Sequence, residues 1–141
     1  MLLAACTNQK SNTMEIKQGL RGHVRELIGN QMPGPDRKPA APQGVATTLF
    51  VFEETRIDQV EAAENVAFYK KIHTPLVDSV RTDTSGFFQI ALPVGTYSLF
   101  TKVEGLYYAN SFDTANRIHP VVVKENEVLE LQFLITNRAF F

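Results

Sequence analysis

The sequence predicts an all-β fold, a seven-stranded antiparallel Greek-key β-sandwich. Three observations predict it. Apolar residues alternate with a period of two in several separate stretches, Val128-Leu-Glu-Leu-Gln-Phe-Leu-Ile135 being the clearest. Gly- and Pro-containing turns separate these stretches. No helical segments alternate with them, which argues against an α/β fold. The chain of 141 residues suits one domain plus tails, and a sandwich of roughly 100 residues fits inside it.

Composition narrows the function classes. Hydrophobic residues make up 44%, enough for a core. A formal net charge of −1 offers no basic field, so nucleic acid is not an expected partner. Cys6 is the one cysteine, so no intramolecular disulfide can staple the domain. No apolar run approaches the ~20 residues of a membrane-spanning helix.

In chain order, residues 7–17 read as a flexible polar tether and residues 18–141 as the domain. Leu20, Gly22 and Val24 alternate with Arg21, His23 and Arg25, predicting a first strand at a sheet edge. Residues 29–44 hold Pro33, Pro35, Pro39 and Pro42, a density that predicts a long exposed loop. Residues 45–53 are β-branched and aromatic, as in a central strand. Residues 55–71 contain good helix formers and no Gly or Pro, so a short helix is one expectation there and a solvated connection the other. A strand around Val77 and Val80 leads into the turn Thr82-Asp-Thr-Ser-Gly86. Two strands follow, joined at Pro93-Val-Gly95, and their periodicity predicts a hairpin. A loop from residue 105 to 117, a strand at 118–124 and a closing strand at 128–136 complete the seven.

Two resemblances add to this reading. Leu3-Ala4-Ala5-Cys6 resembles a bacterial lipobox, the end of a lipoprotein signal peptide. It implies that residues 1–6 are a truncated signal, that Cys6 is lipidated, and that a membrane is a partner through that anchor. Further on, Gly22-x-Val24, Thr82-Asp83-x-x-Gly86-x-Phe88 and Leu92-Pro93-x-Gly95-x-Tyr97 resemble the carboxypeptidase regulatory-like domain, a transthyretin-like (prealbumin-like) sandwich. The long loop 29–44 and the insertion 55–75 exceed that family's minimal pattern. The family implies an accessory module, with Asp83, Gly86, Phe88, Pro93, Gly95 and Tyr97 as a structural motif and no catalytic residue to transfer. One enzymatic relative of the wider fold, hydroxyisourate hydrolase, carries a Tyr-Arg-Gly-Ser signature that Thr136–Phe141 does not match.

Candidate chemistry is sparse. His23, His73 and His119 lie far apart in sequence, without metal-ligand spacing, and His23 and His119 read as polar-face strand residues. Ser85 and Ser98 lack a nucleophile-elbow context, and Asp83 reads as a turn cap rather than a calcium ligand. Gly95-x-Tyr97 suggests a tyrosine corner. Tyr107, Tyr108, Asn110 and Phe112 form a candidate ligand-contact loop, because aromatics beside an amide suit protein or carbohydrate. No metal or cofactor is expected. The expected function is a non-catalytic, lipid-anchored binding or scaffolding module of the cell envelope, in the outer membrane of a Gram-negative bacterium. Its rivals are a small hydrolase of transthyretin-like fold and a structural subunit of a surface assembly.

Overall fold

In the computed structural model, residues 15–32, 34–35 and 41–140 are described. Cys6, most of the tether and part of the Pro-rich loop lie outside them. Among the described residues the strands are β1 (Gly19–Asn30), β2 (Gln43–Gly44), β3 (Thr48–Glu53), β4 (Val60–Ala62), β5 (Phe68–Ile72), β6 (Leu76–Arg81), β7 (Phe87–Ala91), β8 (Gly95–Val103), β9 (Leu106–Tyr108), β10 (Pro120–Val123) and β11 (Val128–Phe140). They form a four-stranded and a seven-stranded sheet, an all-β sandwich. All seven strands expected from periodicity are present. The additional four, β2, β4, β5 and β9, have two to five residues each and lie within the stretches 29–44, 55–75 and 105–117 that read as loops or an insertion.

The smaller sheet is built around β1. β11 runs parallel to it on one side, while β7 and β2 pair antiparallel with its two halves on the other. β1 is therefore internal rather than at an edge. Gly22 makes this packing possible: it lies between Phe88 and Leu131, and a Cβ there would sit 1.7 Å from the Leu131 carbonyl oxygen. In the larger sheet β3 is flanked by β6 and β8, the central place its apolarity predicts.

The predicted hairpin is not formed. β7 pairs with β1 in one sheet, and β8 with β3, β9 and β10 in the other. Leu92-Pro-Val94 thus carries the chain across the sandwich. Local periodicity shows that both segments are extended; it does not show which neighbour each one finds. The crossing is anchored by the Tyr97 hydroxyl, which donates to the Pro93 carbonyl at 2.6 Å. Replacing Tyr97 by Phe should cost about 1 kcal/mol, the net worth of such a bond. Thermal melting checks this, and an unchanged Tm would remove the bond's structural importance.

The other linked motif is equally architectural. One carboxylate oxygen of Asp83 accepts from the Ser85 amide at 2.9 Å, the Ser85 hydroxyl at 2.7 Å and the Phe87 amide at 3.0 Å. These bonds, the Ser85 hydroxyl first, lower the Asp83 pKa. Gly86 closes the turn at φ +85°, and its carbonyl accepts from Val24 N–H at 2.8 Å, locking the turn onto β1. Phe88, from the same motif, is fully buried.

No helix forms over 55–71. One 3-10 turn, Ile57–Gln59, is followed by the antiparallel pair β4–β5, with Ala67 at φ +75° in the turn between them. The reason is tertiary. Phe50, Phe52, Phe100 and Tyr107 project from the face of the larger sheet that points away from the smaller one, as the registers with Leu49, Thr101 and Tyr108 require. The insertion extends this sheet, β5 pairing antiparallel with β9, while its ends at Thr55 and Thr74 fold over this face. Thr55 N–H donates to the Ser98 hydroxyl at 2.9 Å, the Thr55 and Thr74 hydroxyls meet at 2.6 Å, and Tyr69 packs edge-on to Phe100 at 5.9 Å. Phe52 and Phe100 are buried in consequence. Burying such aromatic area outweighs the few tenths of a kcal/mol per residue by which Ala and Glu favour helix.

Candidate functional site

The four residues of the candidate contact loop separate. Tyr107 and Tyr108 belong to β9, not to a loop, and point to opposite faces because side chains alternate along a strand. Tyr108 points inward and is buried; its hydroxyl accepts from Thr136 N–H at 3.1 Å, and its ring meets Phe68 edge-on at 5.1 Å. Asn110 reaches the same place, its amide donating to the Thr136 hydroxyl at 2.8 Å. Both residues therefore tie β9 to β11. Tyr107 points outward, edge-on to Phe50 at 5.5 Å and Phe52 at 5.6 Å. The Lys102 ammonium lies 4.9 Å from the Tyr107 ring centre and 5.7 Å from that of Phe50. This cation–π contact covers the ring faces that a sugar would need.

Phe112 alone is displayed, at 60% exposure. Its loop is braced. Asp113 accepts from the amides of Ala115 at 3.0 Å and Arg117 at 2.9 Å, and from Arg117 Nε at 2.7 Å. Arg117 also reaches Glu54 at 3.2 Å. The Arg117 amide above all, then its guanidinium, lowers the Asp113 pKa, and Asp113 in turn raises that of Arg117. Ile118, the bridge partner of Phe112, is fully buried and donates its N–H to Thr55 at 2.8 Å. An exposed aromatic on a fixed loop can make apolar contact at little ordering cost. Val66, at 93% exposure, tops the neighbouring β4–β5 turn, which is joined to the start of this loop by Ala109 N–H donating to the Ala67 carbonyl at 3.1 Å.

The histidines do not converge. His23 meets Phe87 edge-on at 5.5 Å, and His73 bonds Glu61 at 3.0 Å. His119 is not on a polar strand face. Its ring stacks on Phe133 of the other sheet at 4.7 Å, its backbone is left-handed at φ +39°, and its Nδ1 is buried without a hydrogen-bond partner. Burial lowers its pKa. Nothing local in Ile118-His-Pro120 signals this, because the stacking partner is 14 residues away in sequence. Among the described residues, no three His, Cys, Asp or Glu side chains group as metal ligands, and no helix is long and apolar enough to cross a membrane.

Comparison with protein-family models, with curated proteins and with solved structures found no match.

Proposed function

We propose that this chain is a non-catalytic cell-envelope lipoprotein whose carboxypeptidase regulatory-like sandwich binds or scaffolds a protein or carbohydrate partner. One observation carries the reading. The loop 111–118 is fixed by the Asp113–Arg117–Glu54 network and by buried Ile118, yet it holds Phe112 out to solvent. Rigid display of one apolar side chain serves contact; it supplies no acid, base or nucleophile. The polar groups of the two turn motifs support the same reading, since Asp83 and Tyr97 bond the backbone of their own turns. Cys6, within Leu3-Ala4-Ala5-Cys6, is the lipidated residue. A single acyl chain anchors only marginally, so the anchor carries several.

Metabolic labelling with an alkyne palmitate tests the anchor. The expected result is incorporation that is lost in Cys6→Ala. A photo-cross-linking residue in place of Phe112, in the same cells, tests the contact and is expected to give a discrete adduct in the membrane fraction. An unlabelled chain refutes the anchor, and the absence of any adduct refutes binding through this loop.

A further inference from the structure

Among the described residues, β11 pairs only with β1, so its other edge is open. Open edges invite pairing with another chain, and most edges here are blunted. β4 has three residues. β10 has four, begins at Pro120 and is followed by Lys124. β6 is broken by a bulge opposite Val51 and Phe52. β7 packs beside β6 through the Asp83 turn.

β11 differs. From Val128 to Ile135 it holds no Pro, Gly or Lys and pairs with β1 residue for residue, and the register breaks only beyond Ile135. Leu129 is 39% exposed, and Leu131 is only partly buried. Leu129, Leu131 and Phe133 lie on the core side, while Val128, Glu130, Gln132 and Leu134 lie on the outer side.

We infer that β11 pairs antiparallel with β11 of a second copy about a two-fold axis at Leu131, joining two four-stranded sheets into one of eight. The side chains select this register. Leu131 faces its own copy, Leu129 faces Phe133, and Val128 faces Leu134, so the apolar residues from Val128 to Leu134 meet one another. Glu130 meets Gln132 of the second copy, a carboxylate accepting from an amide. Within each copy Arg21, opposite Glu130, already holds it at 3.1 Å, and Arg25, two residues past the one opposite Gln132, holds Gln132 at 2.7 Å. The rung therefore reads Arg21, Glu130, then Gln132 and His23 of the second copy, with Arg25 reaching Gln132 diagonally and the one carboxylate held beside Arg21. Sliding by two residues one way sets Glu130 against Glu130, and the other way sets it against Leu134. The first opposes like charges and the second sets a carboxylate against an apolar side chain, so both slides lose. A closed two-fold contact of this kind ends at the dimer.

The full-length chain with Cys6→Ala, at about 100 µM and so well above a micromolar Kd, should sediment as a dimer. Gln132→Glu, at an exposed position, places a second carboxylate opposite Glu130 and should weaken the dimer at least tenfold, with far-UV circular dichroism unchanged. Opposed Cβ atoms in an antiparallel pair lie about 5 Å apart. Leu131→Cys should therefore form an intersubunit disulfide on mild oxidation, and Gln132→Cys should not. A monomer at this concentration overturns the inference. So does a dimer that Gln132→Glu leaves intact, or one that cross-links equally through both positions.

Discussion

Gly22→Ala is expected to destabilise the domain by about 3 kcal/mol or more, the upper range for forced overpacking. In an ordinary strand this exchange helps, because Ala loses less backbone entropy and packs better. Here the added Cβ would lie 1.7 Å from the Leu131 carbonyl oxygen and 2.8 Å from its carbon. Those are backbone atoms of β11, so no rotamer change relieves the clash. Relief requires β1 and β11 to separate, at the centre of their parallel ladder. Urea denaturation of Gly22→Ala checks this, and a midpoint at or above the wild-type value would contradict the close approach.

Phe133→Ala is expected to cost about 3–5 kcal/mol, as for other buried Phe truncations. Phe133 is fully buried and supplies the surface on which His119 stacks. The same variant should let water reach His119 and raise its pKa toward the ordinary value, which an NMR titration reads. The sign follows from the cause. Burial holds the folded-state pKa of His119 below its unfolded value, so the unfolded chain takes the proton first. His119 therefore adds no penalty above the unfolded pKa. It withdraws stability as pH falls from that value through the folded one. Loss of the stack without any movement of the His119 titration would contradict desolvation as the cause.

The fold class was legible because several strands carry their own alternation, as Leu129, Leu131, Phe133 and Ile135 do, and others are β-branched and aromatic runs between turns. The partners of those strands were not. Phe88-Gln-Ile90 and Tyr97-Ser-Leu99 read as two arms of a hairpin, yet they enter different sheets. A period of two encodes extension and facing, not adjacency. The insertion was illegible for a different reason. Ala62, Ala63, Glu64 and Ala67 favour helix, but the uncovered rings of Phe52 and Phe100, distant in sequence, require a sheet-like cover. In the candidate site, Phe112 was readable as an exposed aromatic in a polar stretch. Tyr108 and Asn110 were not readable as ties to Thr136, and the burial of His119 depends on a strand that arrives later in the chain.

The parallel pairing of β1 with β11 has a consequence for how this chain comes to be folded. Gly19 must find Val128, and Asn30 must find Phe140. Each closure encloses about a hundred residues, so the entropy of a long loop is lost before either strand gains its contacts. The internal strand of the smaller sheet, β1, lacks its longest partner until β11 has been made. Folding is thus slow and late, on roughly the millisecond-to-second scale of non-local β topologies. The smaller sheet is complete only once β11 is available to pair with β1.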